Sequence, residues 1–231
     1  MFGFFEKLKS QDDSQLSFSQ SGEDRIIKFV FDVLGIHQYR YLDIGANHPS
    51  RINNTYLFYK LGGSGVLVEP NPRWQSLTSR LRPRDLCLNV GMAGKAQSNV
   101  PFYLMKSETL CTFSKREADR MVAECGEEIT EVKMLDVLEP RAVLSSHFSG
   151  GLNLVSLDVE GLEWVILEAF DLQRYRPEVF CVETISYAID GSGVKSTVLT
   201  EFMTARGYMV FADTYVNTIF VDRSRWEELG R

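Results

Sequence analysis

Two segments decide the fold: Arg40-Tyr-Leu-Asp43-Ile-Gly45-Ala-Asn47-His48-Pro49 and Gly65-Val-Leu-Val-Glu69-Pro-Asn-Pro72. Each is an apolar run that ends in a polar turn, which is typical of a buried strand reaching the ligand-binding edge of a parallel sheet. Gly45 allows a sharp turn close to a ligand, and the Glu69 carboxylate can accept hydrogen bonds from both hydroxyls of a ribose. Together the segments predict a nucleoside site. The first segment alone is equally typical of an ordinary strand followed by a turn.

The glycines narrow the choice of nucleoside. A dinucleotide site needs the pattern G-x-G-x-x-G, which starts a helix close under a pyrophosphate. In this chain Gly45 is followed by Asn47 and Pro49, so we do not expect a pyrophosphate cradle. The pattern favours a ligand that has a ribose but no phosphates, such as S-adenosylmethionine.

Composition indicates one α/β domain with a substantial core, since the chain has 231 residues and is 44% hydrophobic. Its 25 basic and 31 acidic residues give a net charge of −6. Nucleic-acid binding needs clustered Lys and Arg, so we expect a small or neutral substrate. Four cysteines show no C-x-x-C spacing and are typical of reduced thiols in a cytoplasmic protein: Cys87, Cys111, Cys125 and Cys181.

The amino-terminal segment has an apolar face at Phe4, Phe5 and Leu8 but lacks the pattern of a signal peptide. A terminal helix that frays or packs on the core is the favoured interpretation. Contact with a membrane surface or with a second copy of the chain, as in a homo-oligomer, is the alternative. No run is long and apolar enough to predict a transmembrane segment.

Hydrophobic periodicity predicts strands that alternate with helices. Strands are expected at 39–44, 65–69, 86–90, 152–157, 179–184, 208–212 and 217–222, and helices at 23–34, 52–61, 72–81, 193–206 and from Gly161 through Phe170. The last two strands lie too close in sequence for a crossover helix, so they should be antiparallel. Between 99 and 135 we expect an insertion that carries a short hairpin, with strands at 99–105 and 131–135 and a helix at 115–125.

Several blocks, taken in order, resemble the FkbM-type S-adenosylmethionine-dependent methyltransferases of the class I fold. They are Ser19-Gln20-Ser21-Gly22-Glu23-Asp24, Asp43-Ile-Gly-Ala-Asn47-His-Pro49, Asn54-Thr55, Glu69-Pro-Asn-Pro72, Thr112-Phe-Ser114, Ser156-Leu-Asp158-Val-Glu160-Gly161, Glu183 and Asn217-Thr-Ile-Phe220. The resemblance implies an extension over 1–17 and one domain over 18–231. It also implies a Rossmann-like seven-stranded sheet whose seventh strand is antiparallel and lies between the fifth and sixth.

The resemblance also implies where S-adenosylmethionine binds. Glu69 would take the ribose, and Asn89 and Val90 would flank the adenine. Next to the methionine part would lie Asp43, Gly45, Ala46 and Asn47, and the remaining cofactor-binding positions are Pro70, Asp158, Gln20 and Asp24. Asn47 departs from the commoner G-x-G turn. Similar proteins methylate hydroxyls of sugars, glycan ends or polyketide-like products, which makes a small-molecule or glycan acceptor the expected partner.

Methyl transfer needs an aligned acceptor and a group that takes its proton. Asp158 and Glu160 follow the fourth strand at the carboxyl edge, and Glu183 resembles a family position that faces the acceptor. A carboxylate there can act as the base or bind a divalent cation such as Mg²⁺, with Asp158 and Glu160 as the metal ligands. The alternative is that Asp158 caps the next helix.

Two further predictions each have a simple structural alternative. His48 is the best imidazole base, although a solvated loop histidine is favoured. Gln20 and Asp24 either fold over the cofactor or cap a helix. For the chain as a whole, the alternatives to an O-methyltransferase are a catalytically silent binding module and an NAD-type oxidoreductase. The glycine pattern and the closing antiparallel pair disfavour the oxidoreductase.

Overall fold

The computed structural model describes residues 16–185 and 193–230. Its strands are β1 (Arg40–Ile44), β2 (Ser64–Val68), β3 (Leu86–Leu88), β4 (Gly91–Met92), β5 (Gln97–Met105), β6 (Ile129–Leu138), β7 (Leu154–Leu157), β8 (Val179–Glu183), β9 (Tyr208–Asp213) and β10 (Asn217–Asp222). Its helices are α1 (Glu23–Leu34), α2 (Tyr56–Lys60), α3 (Pro72–Leu81), α4 (Lys115–Cys125), α5 (Pro140–His147), α6 (Glu163–Ala169), α7 (Thr197–Ala205) and α8 (Arg223–Glu227). Short 3-10 turns lie at Glu108–Leu110 and Glu228–Gly230.

Seven strands form one sheet in the order β3-β2-β1-β7-β8-β10-β9. The first five of these are parallel, and β10 is antiparallel to both of its neighbours. The short link between β9 and β10 has no room for a crossover helix, so these two strands pair as a hairpin. The predicted α/β class I arrangement, with the seventh strand of this sheet between the fifth and the sixth, is confirmed.

Both faces of this sheet are buried, because successive side chains of a strand point in opposite directions. On β1, Leu42 and Ile44 belong to a core that includes residues of α5, α6 and α7. Tyr41 belongs to the opposite core, with residues of α1 and α2. Helices on both faces are the usual covering of parallel strands.

The middle of the chain forms a second sheet, in the order β4-β6-β5. The strands and the helix expected between 99 and 135 are present as β5, β6 and α4, but the strands are nine and ten residues long and β4 adds a third strand. Ala118 and Met121 of α4 pack on Met105 and Leu110. This small core stabilises long strands that a hairpin without a packed face would not support.

Several elements are shorter than predicted, and for two of them the local structure shows the reason. The helix expected over 52–61 covers only Tyr56–Lys60, since Ile52 has a left-handed backbone with φ 51°. The strand expected over 86–90 ends at Leu88. Beyond it, the Asn89 side chain donates hydrogen bonds to the carbonyls of Glu69 and Pro70, which follow β2.

A buried guanidinium, that of Arg82, holds the loop after β1 in place. Arg82 follows α3, and its Nε donates to Asp85 Oδ2 at 2.7 Å. Its Nη1 donates to Pro49 O at 3.2 Å and Asn53 Oδ1 at 3.1 Å, and its Nη2 donates to Thr55 Oγ1 at 3.0 Å. Because a guanidinium carries five donors in one plane, a single side chain can fix several loop groups at once.

Asp43 joins this network from the sheet. Its Oδ2 accepts hydrogen bonds from Thr55 Oγ1 at 2.6 Å and from Asn53 Nδ2 at 3.1 Å. Asp85, the partner of Arg82, also accepts hydrogen bonds from the Tyr41 hydroxyl at 2.9 Å and from the backbone N–H of Gly65, in β2, at 2.8 Å. The loop after β1 is therefore tied to β1, to β2 and to the chain after α3.

The first two residues of α1, Glu23 and Asp24, have carboxylates that accept hydrogen bonds from neighbouring segments. Asp24 accepts from Phe18 N at 2.7 Å. Glu23 accepts from Thr214 Oγ1 at 2.7 Å and from Asn217 Nδ2 at 3.1 Å. The start of α1 is thereby fixed to the turn between β9 and β10.

All four cysteines are free thiols; Cys181 is buried and the other three are half-buried. Among the helices that the structure describes, none combines the length and the apolar character needed to cross a membrane. Phe4, Phe5 and Leu8 lie outside the described residues.

We expect Arg82→Leu to lower the free energy of unfolding by about 3–5 kcal/mol, because it leaves the buried Asp85 carboxylate without its partner. The matched control is Arg80→Leu, at an exposed position two residues earlier, for which we expect a change within about 0.5 kcal/mol. Urea unfolding measures both values. Equal losses in the two variants would show that the Arg82 network contributes nothing specific to stability.

Candidate active site

A cavity of about 820 Å³ opens at the carboxyl ends of the parallel strands. It lies between the turns after β1 and β7, where open α/β sheets bind ligands because the strand order reverses there. The predicted site residues that line it are Gln20, Gly45, Asn47, His48, Glu69, Pro70, Asp158, Glu160 and Glu183. The turns after four strands therefore meet in one cavity.

The turn after β1 requires glycine at position 45. Gly45 has φ 80°, and a Cβ atom there would lie 1.7 Å from the carbonyl oxygen of Asp158. Next to this contact, Asp158 N donates to Ile44 O at 3.0 Å. The turns after β1 and β7 are thus in direct backbone contact, which only a residue without a side chain permits.

Asn47 takes the position where the commoner pattern has a second glycine. Its backbone is left-handed, with φ 48°, a conformation that asparagine tolerates better than most residues. Its backbone N–H donates to Glu69 Oε2 at 2.6 Å, and its side-chain Nδ2 donates to Glu108 O at 3.2 Å. Asn47 therefore links the first turn to the second strand and to the insertion.

Glu69 is a buried carboxylate at the end of β2. Its two oxygens accept the backbone N–H groups of Asn47 at 2.6 Å and of Asn71 at 2.7 Å. Burial nevertheless raises the pKa of Glu69 to about 7, and the two hydrogen bonds oppose this rise. Each carboxylate oxygen has a second lone pair with which it can accept from a ligand.

Three carboxyl groups form a cluster after β7 and β8, which we call the acid cluster: Asp158, Glu160 and Glu183. One oxygen of each lies within 4.8 Å of the others. Burial, followed by the charge of Glu163, raises the pKa of Asp158 to about 7. Burial and repulsion from Asp158 hold the pKa values of Glu160 and Glu183 well above their usual range. A hydrogen bond between Glu183 and Asp158 favours the protonated form of Glu183 and the ionised form of Asp158.

Asp158 does not cap the next helix. Glu163 supports that turn instead, accepting hydrogen bonds from Val159 N at 3.0 Å and Gly161 N at 3.1 Å. Within the turn Glu160 has a left-handed backbone, with φ 55°, and its carbonyl accepts from Thr112 Oγ1 at 3.0 Å. The Asp158 side chain is thereby left to line the cavity.

His48 lines the cavity beside Trp74, whose ring lies 5.0 Å away in an edge-on arrangement. Ser50 N and Arg51 Nε lie 3.2 Å from its two ring nitrogens. A neutral imidazole has one acceptor nitrogen, so only one of these contacts is a hydrogen bond. Burial and the charges of Arg51 and Arg73 lower the pKa of His48. The ring is therefore neutral near pH 7.

Five predicted site residues do not line the cavity: Asp24, Asp43, Ala46, Asn89 and Val90. Asp24 and Asp43 are buried in the hydrogen-bond networks of the fold, and burial raises the pKa of Asp43. Ala46 and Val90 pack in the two cores. These residues hold the turns that carry the lining residues.

An apolar wall of the cavity comes from the insertion, to which we had assigned no site residue. Its members are Met92, Phe102, Leu110 and Phe113. The Phe113 ring lies 4.6 Å from that of Phe102 and packs where a Cβ on Gly91 would stand. The block Thr112-Phe-Ser114 was the one sequence signal for this wall.

The family model described as the methyltransferase FkbM domain matches residues 43–210. No curated protein matches the chain. Similar solved structures include a TehB-like SAM-dependent methyltransferase from Corynebacterium glutamicum, with a TM-score of 0.42 and 10% identity, which covers 96% of this chain and 97% of that one. A precorrin-6y C5,15-methyltransferase from Geobacter metallireducens has a TM-score of 0.40 and 15% identity. Its match covers 87% of this chain and 76% of that one.

The 16S rRNA methylase ArmA has a TM-score of 0.38 and 11% identity and covers 94% of this chain and 96% of that one. Similarities at this level say nothing about acceptor or chemistry. The family match is different in kind, because it extends over most of the chain, from β1 to β9. The chain therefore belongs to the FkbM family of S-adenosylmethionine-dependent methyltransferases.

Proposed function

We propose that this protein is an O-methyltransferase that acts on a hydroxyl of a sugar, a glycan or a small natural product. The observation that supports this is one cavity that contains both a carboxylate suited to a ribose, Glu69, and the acid cluster. A hydroxyl needs a proton acceptor beside it before it can attack. The acid cluster supplies one at the edge where the acceptor would meet the cofactor.

The cavity suits a cationic nucleoside better than an anionic one. Its acidic side chains are Glu69, Glu108, Asp158, Glu160 and Glu183, whereas its basic ones are Arg51 and Lys106. A sulfonium would favour the ionised forms of these buried carboxyl groups, whereas a pyrophosphate would disfavour them. S-adenosylmethionine supplies an electrophilic methyl group on such a sulfonium.

We assign the parts of the cofactor to residues that line the cavity. Glu69 would take the ribose hydroxyls, and the backbone at Gly45 and Asn47, with Gln20 above it, would border the methionine part. The wall of Met92, Phe102, Leu110 and Phe113 suits a flat heteroaromatic ring such as adenine. Asn89 would act indirectly, through the carbonyls of Glu69 and Pro70 that it holds.

In the proposed step the acceptor oxygen bonds to the methyl carbon as the carbon–sulfur bond breaks, and the hydroxyl proton passes to Asp158. The hydrogen bond with Glu183 favours the ionised form of Asp158, which is the form that can take a proton. A sulfonium and a carboxylate then become a thioether and a carboxylic acid. Removal of both charges is favourable in a cavity largely shielded from water. His48 is the second choice for the base.

The first test concerns Glu69. We expect Glu69→Gln to weaken binding of S-adenosylhomocysteine by about 1–3 kcal/mol, because an amide offers one acceptor atom in place of two. Isothermal calorimetry measures the affinity, with Glu131→Gln on the exposed part of β6 as a control of equal charge change. Unchanged affinity in folded Glu69→Gln would mean that Glu69 only joins the loops at Asn47 and Asn71.

The second test concerns the proton. We expect Asp158→Asn to slow methyl transfer by about a hundredfold or more, while S-adenosylhomocysteine affinity stays within about threefold. The amide oxygen can still accept the proton of Glu183, so the turn should keep its shape. Transfer from labelled S-adenosylmethionine to a panel of glycosides and hydroxylated natural products gives the rate.

His48→Ala is the comparison for this variant. If it is slow and Asp158→Asn is normal, the base is His48. If both are normal, transfer depends on alignment alone and the proposed proton acceptor is wrong.

The acid cluster has the geometry for a second role, as three hard oxygen ligands for a divalent cation. If a cation orients the acceptor, excess EDTA should abolish transfer, and Mg²⁺ or Ca²⁺ should restore it. Full activity in EDTA would leave Asp158, Glu160 and Glu183 with proton acceptance and orientation only. Circular dichroism in EDTA controls for unfolding.

A further inference from the structure

Left-handed backbone is concentrated at the cavity. Among the described residues other than glycine, φ is positive at Asn47, Ile52, Asn99, Glu160 and Tyr215, and all of these except Asn99 line the cavity. Asn99 lies at an irregularity of β5, where asparagine suits the conformation. Ile52 and Tyr215 are residue types for which this conformation is unfavourable.

Ile52 combines an unfavourable backbone with an exposed apolar side chain. It is 61% exposed and has φ 51°, which is a clear outlier for a β-branched residue. Its neighbours hold it there, because Arg82 binds Pro49 O and Asn53 Oδ1 and Asn53 N donates to Phe18 O at 2.8 Å. Glycine or asparagine at position 52 would fit this backbone with less strain.

Tyr215, in the turn between β9 and β10, also combines an unfavourable backbone with an exposed side chain. It is 55% exposed and has φ 74°. Its turn is held by a bond from Tyr215 N to Asp213 Oδ1 at 2.8 Å and by Lys195 Nζ, which donates to Tyr215 O at 2.6 Å. Strained residues that the surrounding structure fixes in this way are typical of ligand-binding positions.

The loops that carry both residues are linked to β7 and β8, the strands that the acid cluster follows. Tyr215 is in the turn before β10, whose Asn217 pairs with Glu183. The loop of Ile52 reaches β7 through Asn54 Nδ2, which donates to Ser156 Oγ at 3.2 Å. Ile185 and Val216, which follow β8 and precede β10, also line the cavity and add apolar groups near Tyr215. Glu69 and the proposed adenine wall belong to other elements, the end of β2 and the second sheet.

We propose that Ile52 and Tyr215 bind an apolar segment, an alkyl chain or an aromatic ring, that the acceptor carries next to the hydroxyl to be methylated. This inference rests on the proposed function, and it narrows the acceptor to an amphipathic molecule. Exposed apolar groups beside a cavity gain free energy when a ligand covers them. That gain offsets the strain at both positions.

The test compares binding of n-octyl β-D-glucoside, below its micelle concentration, with binding of methyl β-D-glucoside. The protein is saturated with S-adenosylhomocysteine, and calorimetry measures both affinities. We expect the octyl compound to bind at least about tenfold more tightly, since burial of two methylene groups is sufficient for that ratio. Ile52→Asn and Tyr215→Asn should each weaken octyl glucoside binding about fivefold or more and leave binding of methyl glucoside unchanged.

Val122→Asn is the control, since Val122 is 42% exposed on α4 and does not line the cavity. We expect it to bind octyl glucoside like the parent protein. We also expect Ile52→Asn to melt no lower than the parent, because its backbone strain is relieved. Equal affinity for the two glucosides, including no binding of either, would overturn the inference, as would an equal effect of Val122→Asn. Failure of S-adenosylhomocysteine to bind would count against the proposed function instead.

Discussion

The buried pair of Arg82 and Asp85 is the constraint on which the site depends. A buried guanidinium must satisfy its donors within the protein, and Arg82 does so with Asp85 and with backbone and side-chain oxygens of the loop after β1. This requirement fixes a loop that would otherwise be solvated. It shortens α2, holds Ile52 in a left-handed conformation and sets the side of the loop that faces the cavity. The Asp43 carboxylate accepts hydrogen bonds from Asn53 and Thr55 of this loop and does not line the cavity.

The electrostatic character of the cavity follows from topology. Parallel strands end at one edge, so polar residues that terminate β2, β7 and β8 come together without being close in sequence. Burial makes their ionisation costly, which raises the pKa values of Glu69 and Asp158 to about 7. A cationic ligand would lower this cost. The same carboxylates that favour a sulfonium would exclude phosphates, which agrees with the absence of a second glycine after Gly45.

The insertion completes the cavity. Its sheet is separate from the main one, yet the segment from Phe102 to Phe113 supplies the apolar wall, and Glu108 O accepts from Asn47 Nδ2. An ion pair between Arg73 and Glu108 adds a second link, from α3 to the insertion. The apolar wall, the turn after β1 and the start of α3 therefore hold each other in place. The packing of α4 on β5 fixes the position of the wall.

The sequence by itself determined the α/β class and the edge of the sheet at which the candidate site lies, because periodicity and strand-ending residues such as Gly45, Glu69 and Asp158 are local signals. The order of the strands came only from the resemblance to the FkbM family. It also indicated the acid cluster, since parallel strand ends must converge. Only the tertiary structure decided which polar residues line the cavity. Asp43, Asp24 and Asn89 have the same local signals as the lining residues, yet their hydrogen-bond partners lie elsewhere in the chain. Arg82 has no local signal, and the wall around Phe113 has only the block Thr112-Phe-Ser114. Their roles arise from contacts between segments that are far apart in sequence and meet only when the chain is folded.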